Sequence, residues 1–465
     1  MAEPWAAREV AGAQLPDDRF RSSVACIAEG LASNGGSSFS VACGHGGRQS
    51  ARRLFRNEET TVSGLLQGHV EQTAVRCSST GYDLVLCVQD TTTLDYSKHR
   101  SKTGLGPISR NDSSRGLLAH SVLAVAPDGV PLGMLHLDIW AREERESGEE
   151  PKKRSRKKRD TSDKESCKWL RGLRAVQQAL PTSQTALLVQ DREADVFDLF
   201  EEPRRSRTHL LVRMSQGRRR VETECGDESG CSTVLRTIEE APVAGEMVAE
   251  VGRKPSQPAR EARLTLQFSS QRVMPPHNPQ TSANRARQAQ PITVIRAAEV
   301  DAPDGVEPVC WVLLCTMPVT TVDEARRIVG YYALRWTIER LHFTLKSGCF
   351  NVERVQIDEG HALKNALALY YMVAWRVLHI THLARTKPDE PADLVLGPLE
   401  QQVLRAASKR PVVTVADALR EIARLAGYEH YAKAPPPGVK RVWQGLRILE
   451  TLTQGWELAQ LGHKL

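Results

Sequence analysis

DLVLCVQDTTTLDY, residues 83–96, is the stretch on which the fold turns. Its first part, LVLCVQ, is a short apolar run rich in Val and Leu and reads as a buried strand ending at Asp90. Two further strands, Ala119 to Ala126 and Val130 to Trp140, follow across the turn Pro127-Asp128-Gly129. Ser162 and Glu165 have capping-box spacing and open an amphipathic helix to about Leu180, stopped by Pro181. TALLVQ, 185–190, predicts a fourth strand ending at Asp191. A short helix near Asp195 to Glu202 and a fifth strand at Leu210 to Val212 complete the run. Three strands, a helix, a strand, a helix and a strand are the order of an α/β ribonuclease-H-like core, in which the first and fourth strands lie side by side. Asp90 and Asp191 would then be neighbours in space.

Outward from this core, 76–214, the patterns change. Residues 1–75 carry short helical patterns around a Gly/Ser-rich break at Asn34 to Ser38. There Arg48, Arg52, Arg53 and Arg56 recur at helical spacing, as a phosphate-facing stripe or as an ordinary wet helix face. Residues 215–318 hold the segments MVAEV, ARLTLQF, ITVIRAAEV and CWVLLCTM between Pro, Gly and Ser, and predict a strand-rich insertion. Thr321 and Glu324 form a second capping pair where the core resumes, 319–390. The last part, 391–465, predicts a helix at Val415 to Ala426, a Pro435-Pro436-Pro437 breaker and an amphipathic C-terminal helix.

Composition narrows the class. With 40% hydrophobic and 26% charged residues over 465, the chain is neither disordered nor fibrous as a whole. No apolar stretch approaches the roughly 18 residues that span a bilayer, and the start MAEPWAAREV is polar, so a cytoplasmic protein without membrane contact is expected. Ten cysteines without CxxC pairs read as reduced core thiols, not as a disulfide framework or a structural zinc site. The net charge of +7 is local, because KKRSRKKR, Lys152 to Arg159, alone carries seven basic residues. It follows Glu143, Glu144, Glu146, Glu149 and Glu150, and reads as a solvated loop or as a polyanion contact. A second cluster, Arg204, Arg205, Arg207, Arg213, Arg218, Arg219 and Arg220, straddles THLLVR, and two such clusters favour a nucleic-acid partner.

The helix after Thr321 reads YYALRWTIERLHFTLKSG. At about 100° per residue, with Tyr332 as zero, Arg335 falls near 300°, Glu339 near 340° and Lys346 near 320°. Leu334, Ile338, Leu341 and Leu345 fall at roughly 180° to 240°, so an apolar face adjoins one narrow polar stripe. Asp90, Asp191 and Glu339 would supply three converging carboxylates, which cannot all stay ionised unless cations neutralise them. Hard oxygen ligands with open positions suit Mg²⁺ or Mn²⁺. Two such ions flanking a scissile phosphate can activate the attacking oxygen and stabilise the leaving one. Arg335 and Lys346 fit as phosphate ligands.

On these residues the chain resembles the DDE transposases of the insertion sequence 4 family. The matching segments are VQDTTTLDY around Asp90, SRGLLAHSVL at 114–123, DKESCKWL at 163–170, QDREADV around Asp191, LLVR ending at Arg213, and WVLLCTMPV from Trp311. YALRWTIERLHFTLKSG carries the family's Y-(2)-R-(3)-E-(6)-K signature. KKRSRKKR is not part of the family pattern. The resemblance implies that Asp90, Asp191 and Glu339 are the metal-binding catalytic triad, served by Mg²⁺ or Mn²⁺. It implies that Tyr332, Arg335 and Lys346 contact transposon-end DNA, that Arg213 lies close by, and that Trp311 stacks on a base flipped during hairpin formation. Read without the resemblance, Trp311 is a core residue. The family further implies terminal-repeat recognition by the N-terminal domain and parts of the insertion, cut-and-paste strand transfer into double-stranded target DNA, and a synaptic homodimer through the C-terminal helices. A nuclease of the same fold without strand transfer, and a non-catalytic DNA-binding regulator, are the competing readings.

Overall fold

The computed structural model describes residues 5–34, 39–109, 114–143, 165–222, 232–252, 259–276, 287–431 and 434–462. In chain order the elements are helices α1 (Trp5–Val10), α2 (Phe20–Asn34), α3 (Phe39–Arg56) and α4 (Val62–Ser79), strands β1 (Leu84–Asp95), β2 (Gly106–Pro107), β3 (Arg115–Val125) and β4 (Pro131–Trp140), helix α5 (Cys167–Ala179), strand β5 (Thr185–Gln190), helix α6 (Phe197–Glu201) and strand β6 (Thr208–Arg213). Then come α7 (Val234–Glu239), β7 (Gly245–Val251), β8 (Arg260–Val273), β9 (Gln290–Glu299), β10 (Cys310–Cys315), α8 (Val322–Ala333), α9 (Trp336–Phe343), α10 (Gly360–Thr386), α11 (Pro398–Ala407), α12 (Val415–Leu425) and α13 (Val439–Gly462). The chain divides into two compact units. The first holds Met1–Tyr82, Asp90–Pro151 and Thr337–Leu465, and the second Asp83–Gln89 and Lys152–Trp336.

β1 runs past its expected end. Thr91-Thr92-Thr93 adds β-branched residues beyond the apolar run, so Asp90 stands within the strand and not at its terminus. In the second unit a mixed sheet has the order β1-β5-β6-β10-β9-β8-β7. The expected first and fourth strands are indeed neighbours: β1 and β5 pair in parallel, with Leu86 opposite Leu187. β6 continues the parallel set beside β5. Strands β7–β10 fall within residues 215–318, and β10 pairs antiparallel with β6, Leu313 opposite Arg213. Helix α5 opens at Cys167 behind Ser166, whose side chain makes no capping bond. Ser162 of the expected capping pair lies outside the described residues. Gly172 lets this helix approach β1, since a Cβ there would stand 2.6 Å from Gln89 Oε1. The Thr321–Glu324 box that opens α8 is formed as expected.

Four arginines of the second basic cluster, Arg204, Arg205, Arg207 and Arg219, are spent on their own unit and do not form a free basic surface. Arg204 donates to the carbonyls of Leu199, Phe200 and Glu202, and Arg205 to Leu180 O. Arg207 pairs with Asp83, and Arg219 with the buried Asp195 at 2.7 Å. Chain carbonyls and buried carboxylates outcompete solvent for these forks. KKRSRKKR lies outside the described residues.

In the first unit, β4 pairs with β3 across the Asp128-Gly129 turn, where Gly129 takes φ 92°. The 27-residue α10 is buried nearly all round. A polar network ties the N-terminal helices to it. The buried His69 on α4 accepts the Met134 N–H at Nε2, so its Nδ1 carries the proton donated to Glu9 Oε2 at 2.5 Å. Arg76 donates to Glu9 and to Leu132 O, and its guanidinium lies 4.3 Å over the Trp375 ring. His379 and His382 of α10 hydrogen-bond the carbonyls of Pro131 and Gly129. Among the described residues no helix is long and apolar enough to cross a membrane, and the described cysteines are free thiols.

This network is expected to lose stability in acid. Burial pushes the imidazoles of His379 and His382 down from an ordinary 6.5 to about 4. For Glu9 burial acts upward, but His69 and Arg76 outweigh it and bring the carboxyl from an ordinary 4.5 to about 2. As pH falls below 6.5 the unfolded chain takes up the histidine protons first, and below 4.5 it takes up the Glu9 proton first. The stabilisation is therefore complete above about pH 6.5 and drains away toward pH 4, then further toward pH 2. Thermal melts across this range are expected to show a falling Tm from pH 6.5 downward, and a flat profile to pH 4 would contradict it.

Candidate active site

Asp90 and Glu339 line one cavity of about 780 Å³ in the first unit, and Asp95, His342, Lys346 and Glu353 line it too. The buried run Val85–Gln89 ahead of Asp90 holds the strand in the core, and the Asp90 side chain is left 17% exposed. Ile338, Leu341 and Leu345 are fully buried, which turns Glu339 to the edge of α9. Beyond Phe343 the helix widens into a π-helical turn, Thr344–Gly348, closed by the Cys349 N–H on Thr344 O at 3.0 Å. Single π turns of this kind often mark functional positions. Lys346 rides on it, its Nζ 2.7 Å from Thr93 O and 3.2 Å from Glu353 Oε1.

The single polar stripe expected along one helix is not realised. α8 ends at Ala333, and the Arg335 N–H bonds Tyr332 O in a tight turn before α9 starts at Trp336. An angular count at a constant 3.6 residues per turn cannot see such a break. Tyr332 and Arg335 thus belong to the second unit, Glu339 and Lys346 to the first.

In the second unit Asp191 follows β5 and accepts the Glu193 N–H at 2.9 Å, capping the short turn Arg192–Ala194. Burial pushes its carboxyl above the ordinary range, against the pull of Arg335 and Lys168. Tyr332, nearly buried at the end of α8, meets Trp311 edge-on with ring centroids 5.5 Å apart. Arg213 bonds the Tyr332 hydroxyl and donates to Cys310 O at 3.3 Å. Trp311 is half-buried, not enclosed in a core. Asp191, Arg213, Trp311, Tyr332 and Arg335 are therefore one neighbourhood, drawn from β5, β6, β10 and the end of α8.

Among the described residues no three His, Cys, Asp or Glu side chains form a metal-holding group. The donors at the cavity are nevertheless hard carboxylate oxygens, and Mg²⁺ is commonly held by one or two protein carboxylates together with substrate phosphate. The residues fit such an open site. His342, Glu353 and Lys168 escaped the reading of the sequence. His342 alone had a local signal, three residues beyond Glu339 on the same helix.

A transposase DNA-binding family model matches residues 2–60, and a transposase DDE domain model matches residues 133–376. The chain belongs to the transposase DDE domain family. It is a DNA transposase, an enzyme of a class that typically works with divalent metal ions. A solved structure, a cryo-EM piggyBac transposase synaptic complex with hairpin DNA, is similar over 83% of this chain and 70% of that one, at 10% identity and a TM-score of 0.28. The transposase's DNA-binding match covers α3, where Arg48, Arg52, Arg53 and Arg56 are exposed opposite the buried Ala51, Leu54 and Phe55. Arg56 also pairs with Glu359 at 2.7 Å.

Lys346 of the transposase, expected from the sequence to contact DNA, meets the carboxylate of Glu353. Both partners of the Lys346–Glu353 pair are about 30% exposed, and such pairs are weak. Glu353→Gln is expected to tighten binding of end DNA roughly two- to fivefold, the worth of one partly exposed pair. Titration by gel shift at fixed salt checks this, and unchanged or weaker binding would show that Glu353 does not compete with phosphate.

Proposed function

We propose that this transposase carries out cut-and-paste transposition of an insertion sequence of the insertion sequence 4 family, most like the transposase of transposon 5. Strands β4-β3-β1 of the first unit and β1-β5-β6 of the second are read as a ribonuclease-H-like core, interrupted by β7–β10. The observation that carries the proposal is the cavity shared by Asp90 and Glu339, with Lys346 beside them in the spacing of the family signature. Asp90, Asp191 and Glu339 are the residues that would hold metal. When bound, Mg²⁺ or Mn²⁺, two ions in this reading, would activate an attacking oxygen and stabilise a leaving one.

The chain's own groups do the rest. Lys346, Arg335 and Arg213 offer charge-assisted donors to backbone phosphates. Tyr332 braces Trp311, whose partly open indole can receive an unstacked base. Water first frees a 3′-hydroxyl, which then closes a hairpin on the opposite strand; reopened, it attacks target DNA. The synaptic species would be a homodimer. Ile448, Leu452 and Trp456 of α13 recur every fourth residue and are all exposed, which supports pairing through that helix. The DNA flanking the coding region tests the class: short inverted repeats bordered by a target duplication are expected, and their absence would contradict it.

The basic run Lys152 to Arg159 carries a separate expectation. If it touches phosphates, replacing its seven basic residues with Ser and Gly will weaken binding to specific and random DNA alike. It will also flatten the slope of log K against log salt, by up to about 0.9 for each phosphate that is no longer neutralised. An unchanged slope would leave the run a solvated loop.

A further inference from the structure

His342 sits one helical turn beyond Glu339 and is 7% exposed. Its Nε2 lies 3.1 Å from Ser121 Oγ on β3, and its Nδ1 lies 3.6 Å from Asp90 Oδ2 on β1. Ser121 and Tyr371 are both fully buried. The Tyr371 hydroxyl meets no hydrogen-bond partner of good geometry among the described residues, yet stands within electrostatic reach of Asp90 and next to Ser121.

Donor and acceptor rules give this group one consistent direction. An ionised Asp90 can only accept, so the imidazole nitrogen facing it must carry a proton. A neutral ring then presents a lone pair at Nε2, which requires the Ser121 hydroxyl to donate to it. The remaining lone pairs of Ser121 Oγ face a tyrosine hydroxyl that needs an acceptor. Ser121 and His342 are thus a hydrogen-bonded pair directed at Asp90, with the Tyr371 hydroxyl next to Ser121. The separation of 3.6 Å from Asp90 exceeds hydrogen-bond length. Such separations in catalytic sites commonly tighten only when the site is loaded.

We propose that His342, oriented by Ser121 and Tyr371, is the positioning residue that fixes one oxygen of Asp90 and so presents the other to the cavity. The proposal rests on the reading of Asp90 as a metal-holding acid. Outer groups that orient a ligating side chain typically change metal affinity ten- to a hundredfold when removed. His342 would act through Asp90, without itself touching DNA.

The test measures Mn²⁺ binding to the full-length protein on end DNA by electron paramagnetic resonance, beside the Mg²⁺ dependence of nicking. His342→Leu is expected to raise the Mn²⁺ Kd roughly ten- to a hundredfold and the Mg²⁺ needed for half-maximal nicking in parallel, with end binding unchanged. His342→Asn keeps an N–H near the Nδ1 position and is expected to recover binding to within about threefold of the parent. His342→Gln, which reaches toward Ser121 instead, is not. Ser121→Ala removes one oxygen and leaves the packing intact, so it decides the matter if His342→Leu fails to fold: Mn²⁺ affinity within about twofold of the parent would overturn the proposal. Asp90→Asn separates the two levels. If it loses Mn²⁺ binding while His342→Leu and Ser121→Ala keep it, the His342 role alone falls; if Asp90→Asn keeps both Mn²⁺ binding and nicking, the reading of Asp90 falls and the proposal with it.

Discussion

Asp90→Ala, Asp191→Ala and Glu339→Ala are each expected to abolish cleavage of transposon-end DNA while leaving end binding largely intact. Carboxylates near DNA contribute only repulsion to phosphate unless they hold cations, so their removal should not weaken binding. Losing a metal ligand forfeits several kcal/mol of transition-state charge stabilisation, which at 1.36 kcal/mol per decade is about a thousandfold or more. A gel shift paired with a Mg²⁺-dependent nicking assay reads both quantities. Retained cleavage in any one variant would remove that residue from the triad. Asp191 is the most informative of the three, because it does not line the cavity that Asp90 and Glu339 share.

Trp311→Ala is expected to impair hairpin formation more than the first nick. Only the hairpin step needs the strand bent back on itself, and losing one base–aromatic stack costs roughly 1 to 3 kcal/mol, or about tenfold to a hundredfold. A core tryptophan would behave otherwise. It would leave a cavity costing roughly 3 to 5 kcal/mol, and nicking and hairpin formation would decline together as folded protein disappeared. The half-buried indole, edge-on to Tyr332 and next to the exposed Cys310, is poorly placed to carry a core-sized cost. Thermal unfolding of the variant beside a time course resolving nicked and hairpin products distinguishes the two. A lowered Tm with both steps reduced in parallel would assign Trp311 to packing.

What was legible in the sequence follows from how local the cause is. LVLCVQ and TALLVQ announce buried parallel strands because both faces of such a strand are apolar, and they do pair. The Thr321–Glu324 box is readable because capping is a matter of three residues. The break at Leu334-Arg335 was not, since every residue across it is compatible with helix and only the tight Arg335–Tyr332 bond reveals it. The length of β1 was underestimated because a strand is read by its apolar run, whereas Thr91-Thr92-Thr93 extends it with polar β-branched residues. The arginines 204–219 looked like a nucleic-acid surface because composition registers charge and not its partner. Backbone carbonyls, which every sequence carries, and the buried Asp195 absorb it. His342 escaped because its meaning lies in its approach to Asp90, far away in the chain, and Glu353 because the turn that brings it to Lys346, a few residues before it, carries no helical or strand period.

The most direct test of the central claim is a reconstituted reaction. Purified protein, linear DNA bearing the element's own terminal inverted repeats, a supercoiled target plasmid and Mg²⁺ are combined, and products are followed on denaturing and native gels. Cut-and-paste transposition predicts nicked ends, then hairpin ends, then a joined product with the target, none of them forming without the divalent ion. Ends that are cut but never joined would leave a nuclease, and ends that are bound but never cut would leave a DNA-binding protein without the activity assigned to Asp90, Asp191 and Glu339.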